Sequence, residues 1–121
     1  MFIDKYVTDK YKEGLQSKND FFRDLPDLPM PGNVMVKNAG GYVMWFTVKY
    51  EYQGQWVTKE SGNFTLGFIR DIEIPVGAKN ITITAEQTTG EIFTETLEKP
   101  EIVCFKCWGT IFSTTYGKCD E

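Results

Sequence analysis

From Tyr42 to Tyr52 every even position (Tyr42, Met44, Phe46, Val48, Tyr50, Tyr52) is apolar or aromatic, while the odd positions turn polar through Thr47, Lys49 and Glu51. A period of two belongs to a β-strand with one face on a core and the other in water; a helix would scatter the same residues around its whole circumference. Phe64, Leu66, Phe68, Ile72 and Ile74 repeat the pattern, interrupted on that face only by Arg70. A sheet built on residues 39–85 therefore organises the chain, and everything else must cover or extend it. From Asn33 onward strand and turn signals alternate. Strands are expected at about 33–38, 42–52, 55–60, 64–74, 80–86, 91–98 and 101–112, by their apolar and β-branched runs. Turns are marked by Gly40-Gly41, Gln53-Gly54, Ser61-Gly62, Pro75-Val76-Gly77, Thr89-Gly90 and Lys99-Pro100. About seven short strands at this spacing predict a mainly β fold, a two-sheet antiparallel β-sandwich of Ig-like topology.

Upstream the pattern changes. Ile3, Val7, Tyr11 and Leu15 recur four apart, with Tyr6 alongside. That is the stripe of an N-terminal amphipathic helical arm. Its polar side mixes Asp4, Asp9 and Glu13 with Lys5, Lys10 and Lys12, which suits docking on the sandwich better than lying on anionic lipid. Asp24 to Gly32, with Pro26, Pro29 and Pro31, reads as a stiff extended linker that cannot join a central strand. The expected division is residues 1–32 as helical arm and proline linker, and 33–121 as the β-sandwich domain.

A chain of 121 residues has room for one adequate core. The net charge of −4 argues against nucleic acid, whose phosphates call for a clustered basic surface. No apolar run reaches membrane-spanning length, and the N-terminus lacks the pattern of a signal peptide. Catalysis finds little to work with: histidine is absent, and there is no nucleophile elbow, P-loop or dinucleotide fingerprint. Glu51, Glu60, Asp71 and Glu73 could pair across strands as hydrolytic carboxylates, but solvated strand faces account for them equally. The expectation is a non-enzymatic protein without cofactor.

Cys104, Cys107 and Cys119 are odd in number, so a complete set of internal disulfides is impossible. Cys104-Phe105-Lys106-Cys107 has zinc-like spacing without a second such pair, and on a strand its two thiols point to opposite faces. Buried or partly exposed thiols are favoured over a metal site, and one bridge from Cys119 to Cys104 or to Cys107 stays open. Asn63-Phe64-Thr65 and Asn80-Ile81-Thr82 match the glycosylation sequon, which matters only in a eukaryotic secretory pathway. The aromatics lead further. Trp56 follows the Gln53-Gly54 turn, and Phe112 and Tyr116 stand beyond the last expected strand. Aromatics near loop tips anchor a module at a lipid interface or stack on a sugar; capping the ends of the core is the alternative.

Several of these residues carry a family resemblance. Gly41-Tyr42-Val43 opens a long strand with aromatic and acidic residues at its end. Gly62-Asn63 and an aromatic precede a strand closing on Ile74-Pro75. Ala78-Lys79-Asn80-Ile81 leads through Ala85 to Thr89-Gly90, and Cys107-Trp108-Gly109-Thr110 contains a Trp-Gly-Thr. In order and spacing, over roughly residues 39–113, the chain resembles the C-terminal domain of the cholesterol-dependent, or thiol-activated, cytolysins. The resemblance implies a β-sandwich that recognises a target membrane, with a tryptophan-rich loop and a Thr-Leu pair at its tip. The pore-forming domains of that family lie outside the stretch. Here Gln87-Thr88-Thr89-Gly90-Glu91-Ile92-Phe93 keeps the Thr-Gly of the family loop without its cysteine and tryptophans, and Ile111-Phe112 stands where Thr-Leu is expected. The fold carries over more safely than the sterol does.

The expected function is non-enzymatic binding of a membrane lipid or cell-surface glycan through loops at one end of the sandwich, in a toxin-like protein. Candidate binding residues are Thr89, Gly90, Ile92, Phe93, Thr110, Ile111, Phe112 and Trp56, and strand alternation predicts that about half of the tip side chains belong to the core. The resemblance implies a secreted or extracellular setting. The alternative is a protein–protein module, a homo-oligomer included, assembling through the helical arm or a sheet edge.

Overall fold

The computed structural model describes residues 29–119. Eight strands follow in order: β1 (Gly32–Asn38), β2 (Met44–Tyr52), β3 (Gln55–Glu60), β4 (Ile69–Ile74), β5 (Lys79–Gln87), β6 (Gly90–Leu97), β7 (Ile102–Thr110) and β8 (Ser113–Lys118). They form two four-stranded sheets, β4-β1-β7-β8 and β3-β2-β5-β6, packed as a sandwich. The expected mainly β sandwich is the observed fold. Neighbouring strands are antiparallel except β1 and β7, which pair in parallel from Asn33↔Ile102 to Asn38↔Cys107. The helical arm expected over residues 2–15 and the start of the proline linker lie outside the described residues.

The alternation that frames the sequence is the packing of β2. Met44, Phe46, Val48 and Tyr50 are buried while Trp45, Thr47, Lys49 and Glu51 face outward. Ile81, Ile83 and Ala85 of β5 lie beside them, and Val34, Val36, Ile72, Ile74, Phe105 and Cys107 close the core from the other sheet. Burying each large side chain is worth about 1.5–3 kcal/mol. The β6 and β8 edges meet through a stack of Phe93 on Tyr116, centroids 4.4 Å apart, with Phe105 4.9 Å from Phe93. Tyr116 adds a 2.6 Å hydrogen bond from its hydroxyl to the Glu95 carboxylate.

Three strand expectations are corrected. The strand placed at 64–74 is only Ile69–Ile74: Phe64 makes a single bridge to Met44, and a turn follows in which the Phe68 amide donates to Thr65 O. Gly67, at φ 93°, gives that turn a left-handed bend. Leu66 and Phe68, which alternation assigns to the core, are thereby turned into solvent. The strand placed at 101–112 ends at Thr110, and Ser113–Lys118 returns beside it as an eighth strand. Tyr116 belongs to that strand, not to a tail beyond the last one. The cysteines resolve as a Cys104–Cys119 disulfide, Cα–Cα 5.4 Å, tying the end of β8 to the start of β7, with Cys107 a buried free thiol. Of the two bridges that the sequence leaves open for Cys119, this is the one to Cys104.

Candidate functional site

The strands alternate in direction, so the connections 39–43, 61–68, 88–89 and 111–112 all emerge at one end of the sandwich, and 53–54, 75–78 and 98–101 at the other. The first group, the loop end, is pinned from beneath by two buried polar residues. Asn38, the last residue of β1, is fully buried; its amide donates to Tyr42 O at 2.8 Å and Phe64 O at 3.0 Å, and its Oδ1 accepts from Gly40 N at 2.9 Å. Its backbone N–H donates to Phe68 O at 3.0 Å and its carbonyl accepts from Gly67 N at 2.7 Å. One side chain and its peptide groups thus fix two loops at once. Gln87, the last residue of β5, plays the same part on the other side. Its Nε2 donates to the Thr89 hydroxyl at 2.6 Å, its Oε1 accepts from Thr89 N at 2.9 Å, and the Thr89 hydroxyl passes a 3.0 Å bond to Ile111 O. The β5–β6 and β7–β8 turns are therefore coupled.

Gly109 sets the close approach behind the β7–β8 turn. It stands at φ 98°, and a Cβ there would run into Ser113 O. The Tyr42 hydroxyl reaches across to Trp108 O at 3.1 Å, and the Gly41 amide to Gly109 O at 3.0 Å. On this rigid base sit apolar side chains in water. Phe112 is 88% exposed, Leu66 61%, Phe68 54%, with Val43 and Ile69 also exposed. Singly such residues are ordinary; several on neighbouring loops are the composition of an interaction site.

The sequence candidates separate on this geometry. Thr89, Gly90, Thr110, Ile111 and Phe112 come together at the loop end. Phe93 is 3% exposed and belongs to the core, while Ile92 and Ile111 are half-buried and packed against it, so Phe112 alone of the apolar candidates is free to meet a partner there. Trp56 is exposed but opposite Glu51, two residues from the 53–54 turn, at the far end of the sandwich. Sequence reasoning missed Val43, Leu66 and Phe68. The available signal was Gly67: a glycine inside an alternating run marks a bend, and a bend turns into solvent the residues that alternation assigns to the core.

Burial governs the electrostatics beneath this end. Desolvation pushes the Cys107 thiol up to about 12 from 9.0. The Tyr42 hydroxyl rises to about 12 from 10.0, through burial first and the neighbouring Cys107 second. Both are neutral at physiological pH and present no nucleophile. The carboxylates weighed as a catalytic set do not converge: Asp71 and Glu73 lie on one sheet, Glu51 and Glu60 on the other, with Glu51 accepting from the Asn80 amide at 2.9 Å. Among the described residues no group of three or more His, Cys, Asp or Glu side chains could hold a metal ion.

Comparison with known proteins places this geometry. Residues 33–115 match the model of the thiol-activated cytolysin beta sandwich domain. No curated protein matches the chain by sequence. Among solved structures, the membrane-binding domain of pneumolysin superposes with a TM-score of 0.57 at 19% identity, covering 76% of this chain and 98% of that domain. Listeriolysin O gives 0.59 at 19% identity over 74% of this chain and 22% of its own length. The cytotoxin suilysin from Streptococcus suis gives 0.60 at 18% over 74% of this chain and 23% of its own. The chain thus spans less than a quarter of the full toxins it resembles. By the match of residues 33–115, more than half of its length, to one model, the chain belongs to the family of the thiol-activated cytolysin beta sandwich domain.

Proposed function

We propose that the chain is a non-enzymatic module that binds a lipid surface through its loop end, in an extracellular setting like that of a toxin component. The observation that carries this is the set of exposed apolar side chains Val43, Leu66, Phe68 and Phe112, from three of the four loops of one end. A side chain of this kind is worth about 1.5–3 kcal/mol when it leaves water, so three of them inserted together contribute about 4.5–9 kcal/mol, the span from millimolar to micromolar association. The loops stay in shape because Asn38 and Gln87 satisfy their backbone groups, which lets the end meet the membrane as a preformed surface. The net charge of −4 fits a zwitterionic rather than an anionic surface. Thr89 and Thr110 supply hydroxyls at headgroup level. The tryptophans of the family loop are absent from this stretch, so a sterol is not part of the reading.

Flotation with phosphatidylcholine vesicles, with and without cholesterol, tests it. Wild type and Ile102→Asp, altered at the opposite end where Ile102 is 77% exposed, are expected to float. Phe112→Asp, which disturbs no packing, is expected to stay at the bottom. Flotation of Phe112→Asp like wild type refutes the loop-end reading.

A further inference from the structure

The outward face of the β3-β2-β5-β6 sheet is chemically unlike the loop end. Register places Thr58, Lys49, Thr82 and Thr96 side by side in one row, and Glu60, Thr47, Thr84 and Thr94 in the next. A tryptophan stands at each end of β2's outward line. Trp45 begins it, and Trp56 pairs with Glu51 at its other end, six residues on, or roughly 20 Å at about 3.3 Å per residue. Beside each ring the surface is hollowed. A depression of about 420 Å³ lies against Trp56, bordered by Asn80, Thr82, Thr96 and Glu98. Another of about 340 Å³ lies against Trp45, bordered by Glu60, Gly62 and Asn63. Both hollows have the same parts: an indole, a side-chain amide and a carboxylate.

The rings are held in place. Lys49 Nζ sits 5.0 Å from the Trp56 ring centroid, while the ring stays 58% exposed. The Trp45 indole N–H donates to the Glu86 carboxylate at 3.0 Å. We infer that this face binds carbohydrate, with Trp56 and Trp45 as the stacking platforms of two subsites for a neutral oligosaccharide. A pyranose offers a C–H-lined face, which packs on an electron-rich indole, and a rim of hydroxyls, which needs donors and acceptors at the ring's edge. Asn80 and Asn63 supply both, Thr82 and Thr96 supply both, and Glu98 and Glu60 accept. The hollows fall at the small end of ligand sites, about 300–1,000 Å³, as suits single sugar units on an open face. Glu51, Glu60, Glu86, Glu91 and Glu98 outnumber Lys49 and Lys79 here, which disfavours an acidic sugar. A peptide strand would take a sheet edge, not the middle of a face. The inference goes beyond the lipid reading and rests on different residues.

The test is a titration of intrinsic tryptophan emission with mannopentaose, N-acetylchitopentaose and laminaripentaose in turn, and sialyllactose as the anionic counterpart. At least one neutral probe is expected to bind, with affinity lowered tenfold or more in Trp56→Ala, whose ring is largely in solvent, and lowered also in the near-isosteric Thr82→Val. Phe112→Asp is expected to bind as wild type does, and Trp56→Ala to float with vesicles as wild type does, so failure here and failure of the lipid reading are separable. Silence from every neutral probe at about 10 mM, a concentration that detects free energies near 3 kcal/mol, overturns the inference. So does binding of sialyllactose alone, or neutral-sugar binding, read by calorimetry, that survives Trp45→Ala/Trp56→Ala.

Discussion

Replacing Asn38 by leucine keeps most of the side-chain volume and removes the polar atoms of one of the two buried residues beneath the loop end. The consequences can be counted group by group. Phe64 O keeps a partner, because Met44 N also donates to it at 3.0 Å. Tyr42 O and Gly40 N lose the Asn38 side chain as partner, at residues that are themselves buried. A buried polar group left unpaired costs about 1–3 kcal/mol, so two of them amount to about 4 kcal/mol. For a domain of this size that lowers Tm by roughly 20 °C, at about 4–8 °C per kcal/mol. Gln87→Leu is the internal comparison. Its partner Thr89 is exposed, so water can replace the lost bonds and the expected cost is about 1 kcal/mol. Urea unfolding followed by tryptophan emission measures both. If Asn38→Leu unfolds within about 0.5 kcal/mol of wild type, or if Gln87→Leu costs more, the assignment of Asn38 as the pin of two loops is wrong.

Other consequences follow from the cysteines and from the buried acids. The Cys104–Cys119 bridge closes a span of 15 residues, so Cys104→Ala/Cys119→Ala is expected to lose about 3 kcal/mol in the same urea assay; unchanged stability would remove the bridge from the account. With Cys107 pushed up to about 12 from 9.0, a thiol reagent at pH 8 should find no reactive thiol in the native chain and one in denaturant. The same shift fixes a pH dependence. An acid whose pKa is higher folded than unfolded favours the fold fully below the unfolded value, and loses that contribution as pH climbs through the folded one. Cys107 and Tyr42 should together make stability fall between about pH 9 and about pH 12, and Cys107→Ala should flatten the first part of that fall. A urea midpoint that holds constant across this window would contradict the burial of both groups.

The framework of the fold was legible because β2 with its approach and the centre of β5 obey a period of two: Tyr42 to Tyr50 and Ile81 to Ala85 bury every second residue. Alternation failed where the backbone leaves the strand. Phe64, Leu66 and Phe68 share a parity in the sequence, but the Thr65–Phe68 turn reverses the direction of the latter two, and no periodicity records a turn. The eighth strand was hidden for a different reason: Ser113 to Lys118 is an edge strand with only Tyr116 reaching the aromatic cluster, so it has no apolar rhythm to show. The candidate site was half visible. Its turns were found from Thr89-Gly90 and Ile111-Phe112, but which side chain is free and which is core depends on the cross-sheet stack that Phe93 makes with Tyr116. The two outward-facing tryptophans of the β3-β2-β5-β6 sheet could be placed on one face only with the register known, since Trp45 and Trp56 belong to different strands.

The central claim is that one end of the sandwich enters the lipid and the other does not. The direct measurement places an environment-sensitive fluorophore at position 112, or in a separate sample at position 56, and adds vesicles carrying quenchers at known depth in the acyl chains. The account predicts that emission at 112 shifts to the blue and is quenched by the shallow acyl-chain quencher, while the label at 56 reports water throughout. Quenching at 56 and not at 112, or protein that floats with neither label quenched, would contradict it.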